Sequence, residues 1–451
     1  MKKYFIFAVA AVVAMAACTK TEIDETVVPE KKIGFEVANY ARQTKANISL
    51  ANEEKIYQFH TYAYQFPKLG NPVDFMNVDI FPWNVAGSTR TQITAANDES
   101  YVISEWAPAE DYFWPKTGYI NFYSYAANDT SLNPTESVDG TKKAVTLTYT
   151  DKVIDANANI LVADAALRYS NSNSQTYNVD DSETSGHVTK GVPTLFHHQL
   201  AKVKFDVRAR TTEAKKSENT IWKIQVLGTY GTGADEIKST IKPINKGSLV
   251  LTNTDALAAD AAAQTQAWTL SYTDATDVSG WRPSTVATDK EEIVFLSTAD
   301  IASAPEVLTI PVGKIESVDA SNKAYDPVEI LALRSVMPQL TANVAFTLVY
   351  KVQALHGTTV FMEEIRTVGI DAAAALGSIR LGNASGESPA PNTVASWLAN
   401  KKITYHIIID PISEKVTFDP AVEDFDPIDA DGAAHSDTEN DDPNVNEGGI
   451  I

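Results

Sequence analysis

Val344-Ala345-Phe346-Thr347-Leu348-Val349-Tyr350-Lys351-Val352 is the longest stretch of the chain in which apolar side chains return at every second position. Val344, Phe346, Leu348, Tyr350 and Val352 fall on one side of an extended backbone, and Ala345, Thr347 and Lys351 on the other. Successive side chains of a strand point to opposite faces, so this period marks a half-buried strand. Shorter copies of the pattern surround it. Ile403, Tyr405, Ile407 and Ile409 alternate near the end. Val203, Phe205 and Val207 alternate with Lys204, Asp206 and Arg208. Val145, Leu147 and Tyr149 alternate with Thr, Ile120 and Phe122 share a face, and so do Ile33, Phe35 and Val37. Thr, Val, Tyr and Ile dominate these runs, as strands prefer. Helical patterning is confined to two short Ala-rich stretches, 255–264 and 371–376, read as surface helices in connections. The expected fold class is all-β, predominantly antiparallel, with two β-sandwich domains.

The chain has 451 residues, 44% of them hydrophobic and 21% charged, a globular composition with room for about two to four domains. A polar stretch rich in Ser, Asn, Asp and Gly runs from Tyr169 to Lys190. It sets the expected boundary between an N-terminal domain at 33–190 and a C-terminal domain at 191–426. The net charge is -21, which argues against general nucleic-acid affinity, because phosphate binding needs local positive charge. From Val416 to Ile451 there is no Lys or Arg and there are eleven Asp or Glu. Residues 427–451 read as a disordered acidic tail. Asp437 to Asp442 lack the glycine and the ligand spacing of a calcium loop.

Catalytic chemistry is thinly represented. The chain contains no His-Glu-x-x-His, no Gly-x-Ser-x-Gly and no phosphate loop. Gly228-Thr229-Tyr230-Gly231-Thr232-Gly233 has the wrong spacing for a dinucleotide turn and reads as a loop after a strand at 224–227. His197 and His198 are adjacent, so on a strand they face opposite ways and do not readily share a metal. The expectation is a protein without enzymatic activity, cofactor or metal. Trp83, Trp106, Phe113 and Trp114 lie close in sequence. They read either as sandwich core, the commoner role of large aromatics, or as a sugar-binding platform.

The chain opens with Lys2 and Lys3, then an apolar run from Tyr4 to Ala17, shorter than the ~20 residues of a membrane span. Residues 1–17 read as a signal peptide. Met15-Ala16-Ala17-Cys18 resembles a bacterial lipobox, which makes Cys18, the one cysteine, the lipidation site. The other reading is an ordinary signal peptide cut near Ala17. Residues 18–32 are polar and form a tether.

Further motifs follow in order. Ile33-Gly34-Phe35-Glu36-Val37 leads to Arg42-Gln43-Thr44-Lys45-Ala46. Tyr112-Phe113-Trp114-Pro115 precedes Ile120-Asn121-Phe122-Tyr123-Ser124-Tyr125-Ala126. Then come Phe196-His197-His198-Gln199-Leu200-Ala201-Lys202-Val203, Met337-Pro338-Gln339, Trp397, and Val416-Thr417-Phe418-Asp419-Pro420-Ala421-Val422. Each motif is loose; their ordered combination resembles the fimbrillins, subunits of the type V pili of Bacteroidales, and among them the major-subunit branch of the short fimbria.

The resemblance implies two transthyretin-like sandwiches and export as a lipoprotein to the outer membrane, followed by a place in a cell-surface fimbrium that supports adhesion. It implies that a trypsin-like protease cuts after a basic residue, Arg42 or, second, Lys45. The cut releases the strand at 33–42 with Ile33, Phe35 and Val37. A neighbour's terminal segment at 415–426, with Val416, Phe418 and Val422, then takes its place. The partners implied are other copies of the chain, other fimbrial subunits, outer-membrane lipid through Cys18, the processing protease and a host or bacterial surface ligand. Physically, removing a leading strand opens a sheet edge and an apolar groove, and a foreign strand restores both hydrogen bonds and burial. Such a contact is head-to-tail and propagates into a filament. The stretch from Asp424 to Ile451 extends beyond the usual end of a donor strand. It leaves open a second role, a non-polymerising adhesin or glycan-binding lipoprotein at a tip or accessory position.

Overall fold

The computed structural model describes residues 32–37, 56–67, 69–115, 118–169, 191–209, 220–255, 265–270, 280–284, 287–296, 307–312, 328–370, 396–411 and 415–424. Among these the chain is all-β: strands joined by turns and five three-residue 3-10 turns. Each period-two run falls on a strand, with Ile33 and Val344 just ahead of theirs, and its apolar members are buried apart from the half-buried Val37. Phe346, Leu348, Tyr350 and Val352 are buried along the strand Ala345–His356. Ile403, Tyr405, Ile407 and Ile409 are buried along Lys401–Asp410, and Val203, Phe205 and Val207 along Ala201–Ala209.

These three strands build one sandwich. A four-stranded sheet runs Val328–Val336, Ala201–Ala209, Lys401–Asp410, Lys415–Asp424. Across from it lies a six-stranded sheet in which Ala345–His356 pairs on one side with Thr220–Leu227 and Thr240–Lys242, and on the other with Thr359–Ile370. The layers meet at Phe205, whose ring stacks on Tyr405 at 4.8 Å and contacts Phe295 at 5.4 Å and Phe346 at 6.1 Å. The Trp397 indole donates to the Tyr405 hydroxyl at 2.8 Å, so the one polar atom of that ring is satisfied within the core.

The other layers form around an eleven-stranded sheet whose central strand, Tyr119–Ala127, is buried on both faces. On one face Ile120 and Phe122 join Ile33, Phe35, Phe59, Trp106 and Trp114. On the other, Tyr125 packs with Leu147, Tyr149, Leu249, Leu251 and Trp281 of a five-stranded sheet.

Strand pairing crosses the expected boundary at 190/191. Val192–Thr194, Phe196–His198 and Thr265–Gln266 all join the large sheet. Lys246–Thr254 pairs with Ala144–Val153 along eight register positions. The 191–426 segment therefore supplies strands to both layers of the first half. Period-two patterning reveals a strand but not its neighbour, which is decided by long-range pairing. The Gly228–Gly233 loop is a hairpin turn, with Thr229–Tyr230 paired to Ile237–Lys238. Gly231 sits at φ +85°, where a Cβ would lie 2.4 Å from the Asp235 carbonyl oxygen. Of the two expected helices, 256–264 and 371–376 lie outside the described residues, as do the signal segment and the acidic tail.

Candidate functional site: the seat of the leading strand

Phe35–Val37 is a strand of three residues near the start of the chain. Ile33 and Phe35 are 2% and 5% exposed, and Val37 packs half-buried on the same cluster. The alternation read from the sequence thus becomes one apolar row pressed inward. Phe35 meets Phe59 at 5.5 Å and Phe122 at 5.7 Å, both edge to face. Around that pair, Phe59 contacts Trp106 at 5.6 Å and Phe196 at 5.3 Å, and Phe122 contacts Trp114 at 5.8 Å. Burial of a side chain of this size stabilises by about 2–3 kcal/mol.

The strand is held from both sides. Residues 35–37 pair in parallel with Val192–Thr194, and Phe35 stands opposite Trp106 in the antiparallel strand Glu105–Pro108. The Ile33 N–H donates to the Tyr112 carbonyl at 2.7 Å, and the Gly34 carbonyl accepts from the Val192 N–H at 2.8 Å. Lys32 ends the row in an exposed ion pair with Asp111 at 2.5 Å. The expected edge is therefore a slot. Val192–Thr194 lies outside the leading strand in the sheet order, so its removal would bare backbone groups on two facing strands.

Gly191 makes this closeness possible. A Cβ there would stand 2.6 Å from the Phe35 carbonyl carbon and 2.7 Å from the Glu36 nitrogen, both backbone atoms. The sequence marked this residue only as the start of the expected second domain, not as part of the seat. Its signal is a lone glycine just ahead of an extended run.

The far end of the described chain is also a strand. Lys415–Asp424 closes the four-stranded sheet as its outermost member, paired with Lys401–Asp410 alone in that sheet. Val416, Phe418 and Val422 stand opposite Ile409, Ile407 and Ile403. Lys401 and Lys402 stand opposite Asp424 and Glu423, and Asp410 opposite Lys415.

Cys18, Arg42 and Lys45 lie outside the described residues, as do 38–42 of the expected removable segment. The sugar-platform reading of the aromatics does not survive. Trp106 and Trp114 are 6% and 4% exposed, and Trp83 lies under Arg90, whose guanidinium carbon is 3.9 Å from the ring centre. Phe113, the fourth of these residues, stays open to solvent, so what the sequence spacing could not show is that Trp106 and Trp114 beside it turn into the core. His197 and His198 go to separate partners, Asp164 at 3.3 Å and Asn159 at 3.1 Å. Hydrogen bonding to Asp164 raises the His197 pKa, against the opposing effect of burial. Among the described residues no group of three or more His, Cys, Asp or Glu is placed to hold a metal. The cavity lined by Asn157, Asn159, Lys202 and Ser335 has a volume of about 30 Å³, a single water's share against the ~300–1,000 Å³ of a ligand pocket.

No family model matches the chain, and no curated protein matches it. Among solved structures it is similar to a fimbrial protein from Bacteroides vulgatus ATCC 8482, at 14% identity and TM-score 0.40, covering 87% of this chain and 99% of that one. It is also similar to the fimbrial anchor protein Mfa2 from Porphyromonas gingivalis, at 9% identity and TM-score 0.28, covering 87% and 96%. A third is a fimbrial assembly protein from Parabacteroides distasonis ATCC 8503, at 9% identity and TM-score 0.30, covering 87% and 99%. At these values the likeness fixes neither fold nor function, and both rest on the chain's own residues.

Proposed function

We propose that this chain is a structural subunit of a cell-surface fimbrium, without enzymatic activity, that polymerises by exchanging strands between copies. The observation that carries the reading is the leading strand itself. It is short, lies near the start of the chain, is buried under an aromatic cluster and is followed by Arg42 and Lys45. In this account Cys18 carries the lipid that anchors the precursor to the outer membrane. A trypsin-like protease cuts after Arg42, with Lys45 second, and the strand with Ile33, Phe35 and Val37 leaves. The terminal segment of another copy, with Val416, Phe418 and Val422, enters the slot.

The exchange has a physical direction. In its own sheet the terminal strand has one paired neighbour, whereas the slot offers two. The slot pairs its strand at three positions on one side and at Phe35 on the other, fewer than the ten the terminal strand makes in its own sheet, so in this reading the gain comes from seating an apolar row among the rings around Phe59 and Phe122. The joint is head-to-tail and leaves a free slot at one end and a free segment at the other, so it repeats.

Limited trypsin digestion followed by electrophoresis without boiling tests this. The expected result is a ladder of oligomers that disappears in Arg42→Ala/Lys45→Ala protein. Cleaved protein that stays monomeric would overturn polymerisation. It would favour the non-polymerising adhesin, a role to which one observation lends weight: the terminal strand is already closed onto Lys401–Asp410 along ten register positions.

A further inference from the structure

The longest edge strand among the described residues lies far from the slot. Thr359–Ile370, twelve residues, pairs with Ala345–His356 on one side and with no described strand on the other. A bare edge of that length is a template for a further strand. On its core-facing row, Met362 and Val368 pack against the sandwich core. Between them stand Glu364 and Arg366, opposite the buried Val352 and Tyr350. Arg366 donates from Nε and Nη2 to the Glu364 carboxylate at 3.1 and 2.8 Å, and from Nη1 to the Pro411 carbonyl at 3.2 Å. Charges on the core-facing row of an edge strand guard it against indiscriminate pairing. A foreign strand with an apolar row here would strip water from both charges and give nothing back.

One strand does give something back: the same strand, turned around. Residues directly opposite in an antiparallel pair share a face. For both core-facing rows to stay on one face, two copies must align about a residue. About Glu363, Glu364 or Arg366, that charge meets itself; about Thr367, Arg366 meets Val368. About Ile365, Glu364 of each copy meets Arg366 of the other, and Met362 meets Val368. On the outer row Glu363 meets the neutral Thr367 while keeping its own partner, the Gln353 amide at 2.5 Å. Just beyond, Phe361, 60% exposed, falls level with Gly369, around which there is open space. An aromatic ring set beside an edge glycine is a favourable cross-strand pair.

We infer that this edge binds a second copy of the chain through its own edge, antiparallel and centred on Ile365. The charges that repel other strands are the ones that select this partner and this register. The contact is isologous and closes at two copies, unlike a head-to-tail joint. It uses neither the leading nor the terminal strand, so it forms in uncleaved protein and does not depend on the strand-exchange reading. A single ladder is a small interface, filled where copies are crowded.

Disulfide trapping reads the register. The full, uncleaved chain with Cys18→Ser carries either Ile365→Cys or Thr367→Cys, and dimer formation under mild oxidation is followed on a non-reducing gel. At the axis the two copies of position 365 lie about 5 Å apart between Cα atoms, within reach of a disulfide. The two copies of position 367 are offset by four residues, about 14 Å, which is beyond it. The expected result is that Ile365→Cys dimerises at least about tenfold faster than Thr367→Cys. Adding Glu364→Lys sets like charges across the ladder twice and should slow the Ile365→Cys dimer by about tenfold. The comparison of the two cysteines needs no charge variant, so it stands even if Glu364→Lys disturbs the strand. Equal rates for the two cysteines, no dimer from Ile365→Cys, or a folded Glu364→Lys variant that dimerises as fast would overturn the inference. So would a dimer that appears only after trypsin cleavage, since an exchanged terminal strand would then be the occupant.

Discussion

Besides its backbone pairing, Phe35 packs edge to face on Phe59 at 5.5 Å and Phe122 at 5.7 Å, inside a buried apolar cluster. Phe35→Ala should therefore cost about 3–5 kcal/mol, the usual range for emptying an aromatic site in a packed core. Chemical denaturation of the uncleaved protein measures it. Gly191→Ala acts from the other side. Its Cβ would meet backbone at 2.6 Å, so the Val192–Thr194 strand must retreat and the leading strand loses its parallel partner. Faster trypsin cleavage of the variant than of wild type is the expected readout. His197 has a pH signature. Hydrogen bonding to Asp164 raises its pKa above the ordinary 6.5, against the opposing effect of burial. The group therefore contributes stability that is fully present below about pH 6.5 and is lost as pH rises through its folded value. Wild type should exceed His197→Gln in denaturation midpoint by more at pH 5 than at pH 8.

At the scale of elements, the strands themselves were legible. Val344 to Val352, Ile403 to Ile409 and Val203 to Val207 alternate because one face meets water or polar neighbours and the other a core. Partners were not legible. Nothing in the composition of Phe196-His197-His198 says that it pairs with Ile160–Ala163, while Ala201–Ala209, two residues on, belongs to a different sheet. The slot around the leading strand was hidden for the same reason, since its outer wall comes from residues 192–194, far along the chain. The terminal strand carries a prediction of its own. Lys401 and Lys402 stand opposite Asp424 and Glu423, so Glu423→Lys/Asp424→Lys places like charges across the ladder. Each reversed pair should weaken the edge by roughly 0.2–1 kcal/mol. Faster amide exchange over 415–424, with Ala201–Ala209 unchanged, checks it.

For the whole molecule, the sheets do not respect a single cut in the chain. Residues after 190 complete the sheets that residues before 170 begin, so the segment expected as a second domain helps to seat the first strand. That organisation matters for assembly, because both the slot and the strand proposed to fill it are set by contacts made late in the chain. In the proposed assembly joining runs one way, from the terminal segment of one copy into the seat of another. Two defective forms isolate the two halves. Arg42→Ala/Lys45→Ala keeps its plug and can give but not receive. Val416→Asp/Phe418→Asp cannot seat its apolar row and can receive but not give. Mixed at equal concentration under limited trypsin and run on an unboiled gel, they should yield a dimer band containing one copy of each and nothing larger, while each form alone stays monomeric. Equal oligomerisation by either form alone, or no dimer from the mixture, would rule out one-way strand exchange.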